Sequence, residues 1–264
     1  MRLLVSVVSA QEARHALAGG ADIIDVKDPA EGALGAPSPR VLSEVVDEVG
    51  TAVPVSVALG DLPNLPHTAA LAARGAALSG AAYVKVGLRG MRELDAAVAL
   101  VESVAAAVGP RTAVIAAAYA DAEALDPPAF APAWLPALVE RTGISGALVD
   151  TCVKDGRGLY GWMSEAEVAG LVDATRRAGG SFGVAGQLTR AQLCRVAADV
   201  VGVRSAVCRG GDRAADLDAG LVAAAVAELR AASAPQAPVM RVPAVPPGAR
   251  TTTATPVRRT ASGR

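Results

Sequence analysis

The chain has 264 residues, of which 52% are hydrophobic, 19% charged and 3% aromatic, and its formal net charge is −1. That length allows one large domain or two small ones, with a core built from Ala, Val, Leu and Ile rather than from aromatic rings. A charge so close to zero gives no bulk attraction for nucleic acid or a membrane surface, and no apolar run reaches the roughly 18 residues of a membrane span.

The opening stretch MRLLVSVVSAQEA carries no signal-peptide cleavage pattern and predicts a strand followed by a helix, so a soluble cytoplasmic protein is expected. In the next segment Ser9 is placed as an N-cap, Glu12 follows three residues later as the second half of a capping box, and Gly19-Gly20 marks the stop. The run DIIDV predicts a second strand, and Pro37 to Val49 a helix. AVPVSVAL is a third strand, HTAALAARGAALSG a third helix, and AAYVKVGL a fourth strand followed by a helix from Met91 to Val108. RTAVIAAAY is a fifth strand, with a helix from Phe130 to Thr142, and SGALVDT is a sixth. Ser164 and Glu167 repeat the capping-box spacing ahead of the sixth helix. SFGVAG, the short helix TRAQLCRVA capped by Thr189, the strand VVGVRSAV and a helix from Asp218 to Ala231 complete the pattern.

Strands alternating with helices imply a parallel sheet, and eight such units in this length predict a (β/α)₈ barrel. No G-x-G-x-x-G follows the first strand, which argues against a dinucleotide-binding sheet. The barrel is expected over residues 1–231. Residues 232–264, rich in Pro, Thr and Arg and without periodicity, predict a disordered tail. Barrels often associate, so a homo-oligomer is an expectation of the class.

The chemistry of such barrels gathers at the C-terminal ends of the strands. Asp25 and Lys27 are two residues apart on the second strand and so share a face. Lys85 sits between two valines in the fourth strand, where an unpaired charge is costly. Asp150 ends the sixth strand and Lys154 lies in the loop after it. Lys27, Lys85 and Asp150 come from alternate strands, as the side chains of one barrel layer do. The bland alternative is a buried ion pair that only plugs the barrel. The chemical one is a lysine of lowered pKa that attacks a carbonyl, with carboxylates and a second amine moving protons. Nothing in the pattern calls for a metal or an organic cofactor.

Gly210 and Gly211 in CRGGDR follow the eighth strand, and Gly186 and Gln187 end the seventh. Loops after strands seven and eight commonly hold phosphate, and glycine lets backbone N–H groups approach an anion. Together with Ser205 these residues form a candidate phosphate site. The alternative is an ordinary turn with Arg209 or Arg213 in a surface pair. Cys152, Cys194 and Cys208 have no metal-ligand spacing and read as reduced, buried or half-buried thiols. His15 and His67 read as packing or surface residues. Tyr119 and Asp121 end the fifth strand and can line the mouth or cap the turn.

Four segments, GGADIIDVKDPAEGALGAP, YVKVGL, LVDTCVKDGRGL and GVRSAVCRGGDR, resemble the (5-formylfuran-3-yl)methyl phosphate synthase family of methanofuran biosynthesis. The similarity spans residues 1–230 and leaves out the tail. The resemblance implies a (β/α)₈ barrel, needing no cofactor, that condenses two molecules of glyceraldehyde 3-phosphate with loss of phosphate and water. It implies Lys27 as the Schiff-base lysine, Asp25 and Lys85 as its catalytic partners, and Asp150 and Lys154 as the acid and lysine of the D-T-x-x-K-D-G segment. Residue chemistry alone treats Lys27 and Lys85 alike. It also leaves open another Schiff-base aldolase acting on a phosphorylated aldehyde, or a silent sugar-phosphate-binding barrel.

Overall fold

The computed structural model describes residues 1–232 apart from 64, 194 and 196. The proposed tail therefore lies outside the described residues except for its first, Ala232, which still belongs to the last helix; Cys194 also lies outside them. Eight parallel strands close into a barrel in chain order: β1 (Arg2–Val7), β2 (Ile23–Val26), β3 (Val55–Asp61), β4 (Tyr83–Gly87), β5 (Ala113–Tyr119), β6 (Gly146–Asp150), β7 (Ser181–Val184) and β8 (Val200–Val203). The ring is closed by β8 pairing with β1. Helices follow the strands: α1 (Ala10–Ala18), α2 (Pro39–Val49), α3 (Pro66–Leu78), α4 (Leu94–Val108), α5 (Leu135–Thr142), α6 (Glu165–Arg177), α7 (Arg190–Leu193) and α8 (Ala219–Ala232).

The two-residue strand period sorts the side chains. Val84 and Val86 of β4 point outward into the large cluster beneath the helices, with Val5, Val7, Ile24 and Val26. Tyr83 and Lys85 point inward. Moving two residues up a strand crosses from an apolar layer to a polar one: Leu4 to Ser6, Ile23 to Asp25, Tyr83 to Lys85, Leu148 to Asp150. At the opposite end, Asp22 accepts the Leu3 N–H at 2.8 Å and Asp199 accepts the Phe182 N–H at 2.8 Å, which fastens strand starts.

Several local expectations shift. The first helix has half of its expected capping box: Ser9 Oγ accepts from Glu12 N, but the Glu12 carboxylate accepts from Val8 N at 2.9 Å. Arg204 draws that carboxylate inward, with Nη1 to Oε2 at 2.8 Å. The second capping box, at Ser164 and Glu167, has both halves. The segment from Phe130 begins as a 3₁₀ turn over Pro132–Trp134, and only Leu135–Thr142 is α-helical. The stretch after Val203 leaves the strand for a 3₁₀ turn at Ser205–Val207. The α-helix expected over TRAQLCRVA is described only over Arg190–Leu193.

α1 and α8 meet closely where Gly19 ends α1. A Cβ at Gly19 would lie 2.4 Å from Val222 Cβ, and the backbone there (φ −80) is one any residue adopts. The glycine is therefore a packing requirement. Gly19→Ala is expected to cost about 1–3 kcal/mol by overpacking, read as a lower urea midpoint with an unchanged m-value.

Candidate active site

Asp25, on β2, is fully buried. Its Oδ2 accepts from Lys85 Nζ at 2.7 Å and from Ser6 Oγ at 2.9 Å. Ser6, Asp25 and Lys85 come from β1, β2 and β4, so this cluster ties three staves of the barrel together. The direct partner of Asp25 is Lys85, not Lys27 as the shared strand face invited. Ser6, not among the sequence candidates, stands opposite Asp25 in the β1–β2 register.

Lys27 lies one residue beyond β2 and is 7% exposed. Its Nζ donates to Ala33 O over a long 3.4 Å, and it forms no ion pair among the described residues. Ala33 belongs to the loop after β2, which folds back because Asp28 N donates to Gly35 O at 2.9 Å. A Cβ at Gly35 would lie 2.1 Å from Asp28 O, so that return needs glycine. Burial lowers the Lys27 amine to about 8 from the ordinary 10.5; Asp150 and Asp25 oppose the shift, and Lys85 and Lys154 add to it.

Asp150 ends β6. Its Oδ1 accepts from Lys154 Nζ at 2.8 Å and from Thr151 N at 2.7 Å. Lys154 Nζ also reaches Thr151 Oγ1 at 3.1 Å. Burial pushes the Asp150 carboxyl up, but Lys154, Lys27 and the Thr151 N–H together outweigh it and hold it below the usual carboxylate range.

All five of these charged side chains face one cavity of about 250 Å³ at the barrel mouth. Gly186, Gln187, Ser205 and Gly211 line the same cavity. Gly210 is not part of that wall; it makes the turn behind it, at φ 65. Gln187 stands at φ 48 after Gly186 at φ 110, an uncommon backbone for a non-glycine residue. The two arginines separate in role: Arg209 is exposed and 3.7 Å from Asp218, whereas Arg213 lines the cavity. Arg204 is no free cation. It pairs with Glu12, and its Nη1 and Nε donate to Ser6 O at 3.1 Å and Arg213 O at 2.8 Å. It thereby pins the loop carrying Gly211 and Arg213 to the end of β1.

Two features escaped the sequence reading. β3 runs on to Asp61 after a register shift, past the Leu59 where the strand was ended. There Tyr119 OH donates to Asp61 at 2.8 Å, and burial raises the Asp61 carboxyl despite that bond. Burial and the neighbouring Asp61 likewise push the Tyr119 phenol far up, so it remains a donor. Of the described cysteines, Cys152 is half-buried and Cys208 buried; both are free, and burial raises both thiols. His15 Nδ1 lies 3.0 Å from Leu217 O, a packing contact between α1 and the segment before α8. No cluster of His, Cys, Asp and Glu suited to a metal occurs among the described residues. None of the described helices is long and apolar enough to cross a membrane.

Fold and site together define a (β/α)₈ barrel with a buried, lysine-rich and carboxylate-balanced mouth, the place where barrel enzymes carry out their chemistry. Within that class the chain belongs to the 4-HFC-P synthase family, whose model matches residues 3–226. A protein of Methanothermobacter thermautotrophicus named (5-formylfuran-3-yl)methyl phosphate synthase is 43% identical over 218 residues, covering 81% of this chain and 92% of its own. Its namesake in Methanosarcina mazei is 40% identical over 237 residues, covering 88% of this chain and 100% of its own. Solved structures extend the likeness of fold. Thiamine phosphate pyrophosphorylase from Pyrococcus furiosus superposes with a TM-score of 0.56 at 15% identity, covering 87% of this chain and 95% of that one. Dihydrodipicolinate synthase from Acinetobacter baumannii gives 0.59 at 14%, covering 88% and 78%.

The lowered Lys27 value has a consequence for stability. The unfolded chain holds that proton to about 10.5 and the folded chain only to about 8, so the unfolded state binds more protons between these values. The Lys27 contribution to stability therefore rises with pH through that window. Lys27→Met is expected to be more stable than the wild type at pH 7, with the gap narrowing from about pH 8 to about 10.5; urea titrations at stepped pH measure it.

Proposed function

We propose that this protein condenses two molecules of glyceraldehyde 3-phosphate into (5-formylfuran-3-yl)methyl phosphate, with Lys27 forming the imine. The observation that carries this reading is a buried, unpaired Lys27 of lowered pKa facing Asp150 and Lys85 across one cavity, in a chain of this family. At pH 7 an amine of pKa about 8 is neutral in about a tenth of molecules, against fewer than about one in a thousand at 10.5. Lys85 is the poorer nucleophile. Its Nζ is already engaged by Asp25 Oδ2 at 2.7 Å.

The reaction balances without an added oxidant or reductant. Two triose phosphates lose one phosphate and two waters to give the furan monophosphate. Lys27 Nζ adds to a substrate carbonyl carbon, and water leaves as the imine forms. The protonated imine draws electron density from the adjacent carbon, whose proton departs to a base. The resulting enamine expels the phosphate of its own third carbon, and that carbon, now the nucleophilic end of an enol, attacks the central carbonyl of the second triose, isomerised to its ketone, forming the new carbon–carbon bond. Asp150 and Lys154 form a proton-shuttling pair beside Lys27, and Lys85 with Asp25 supplies a fixed ammonium that stabilises developing oxyanion charge. Ring closure of a hydroxyl onto the remaining ketone, loss of two waters from the ring and hydrolysis of the imine then release the product. Gly186, Gln187, Ser205 and Gly211, with Arg213 beside them, offer donors for a substrate phosphate.

Borohydride added to the protein with glyceraldehyde 3-phosphate is expected to trap a reduced adduct on Lys27, found by peptide mass spectrometry. Lys27→Ala should form neither the adduct nor the furan chromophore. Full furan formation by Lys27→Ala would sink the mechanism.

A further inference from the structure

We propose that Asp121 is a positioning residue that acts on the reaction through Lys154. Asp121 follows β5 and is 1% exposed. Its Oδ1 accepts from Cys152 N at 2.8 Å and its Oδ2 from Val153 N at 2.7 Å. One carboxylate thus clamps two consecutive amides of the loop after β6, each oxygen taking one. Asp150 and Thr151 lie directly before the clamped residues, and Lys154 directly after.

The clamp is where the loop's geometry is decided. Lys154 must return to Asp150 Oδ1 and Thr151 Oγ1, four and three residues behind it, at 2.8 and 3.1 Å. A lysine side chain is flexible, so the place of its ammonium follows from where the backbone beneath it is held. Asp121 is outside the wall of the mouth cavity. It lines a separate depression with Glu123, Trp162 and Met163, on the far side of the loop. It therefore holds the loop from behind and touches no reacting atom.

Only a carboxylate meets the geometry. Two amide donors converge on it, and an asparagine there offers one acceptor and turns an N–H toward an N–H. Asp121→Asn removes one bond and replaces it with a clash of donors. Lys154 then loses its fixed position. Of the groups that hold the Asp150 carboxyl down against burial, its charge comes first.

The effect on turnover rests on the proposed furan synthesis, while the anchoring itself is readable without turnover. The test uses the full chain as wild type, Asp121→Asn, Lys154→Met and the double variant. In Asp121→Asn, amides of residues 151–154 are expected to exchange with solvent about tenfold faster, with peptides of β1–β4 unchanged. Furan-forming kcat/KM is expected to fall about 10- to 100-fold, and the acid limb of its pH profile to move upward. On the Lys154→Met background the Asp121→Asn change should have little further effect. Losses that multiply in the double variant, or unchanged exchange at 151–154, would overturn the proposal. A wild type that makes no furan refutes the proposed function, and the exchange measurement still decides the role of Asp121. If Asp121→Asn fails to fold, Asp121→Glu is read the same way: loop exchange and kcat/KM changing together support the role, and one changing without the other refutes it.

Discussion

The mouth of this barrel has to hold several charges out of water, and every arrangement around it follows from their mutual compensation. Three lysines line one cavity together with Asp25, Asp150 and Asp212. Asp25 takes Lys85 and Asp150 takes Lys154, each at hydrogen-bonding distance. Lys27 is left with a long contact to a carbonyl and the more distant fields of the two carboxylates. A buried charge without a partner relieves its desolvation by losing its proton, so the unmatched lysine is the one whose amine is partly free near neutral pH. Among the described residues, two lysines are fixed and one is not: Asp25 holds Lys85 and Asp150 holds Lys154, while Lys27 has no carboxylate at hydrogen-bonding distance.

That arrangement depends on backbone held by buried polar contacts around the cavity. The strand period places Ser6, Asp25, Lys85 and Asp150 above the apolar filling of the barrel, and the strands are rigid enough to need little help. The loops are different, and each is tied by a buried polar contact. Gly35 lets the β2 loop bring Ala33 O to Lys27. Glu12 and Arg204 fasten the β8 loop to the end of β1. These contacts satisfy backbone groups that the barrel buries, which is why their energetic effect is local order more than net stability.

The fold and the charged residues of the mouth were legible in the sequence for one reason: both depend on local periodicity. Alternation in DIIDVK and YVKVG predicts which residues face inward, and the structure gathers them in one cavity. Pairing was not legible. Asp25 and Lys27 share a strand face, yet Lys85, sixty positions away, takes the carboxylate, because its strand brings the ammonium to the same height across the barrel. Asp61 was hidden by a register shift in β3, which moved the strand end beyond the apolar run. The Glu12 carboxylate, read as half of a local cap, answers to Arg204, 192 residues on. Short-range spacing reveals faces and caps, whereas partners across the barrel depend on strand height and stagger, which spacing does not encode.

The placement of the glycine loops bears on the same balance. A phosphate close to Lys27 would stabilise its ammonium: at ~4 Å a unit charge is worth about 4 kcal/mol at an effective dielectric of 20, enough to raise the amine by several units and silence it. The glycine loops at the mouth follow β7 and β8, while Lys27 follows β2, with β1 between. In the proposed reaction an anion held on the β7–β8 side meets Arg213 and backbone N–H groups first. The carbonyl end of a three-carbon substrate then extends toward Lys27, whose proton affinity is still governed by the barrel's own charges. In that proposed reaction, anion recognition and the nucleophile stand one strand apart, so a phosphorylated aldehyde is held without placing its charge beside Lys27.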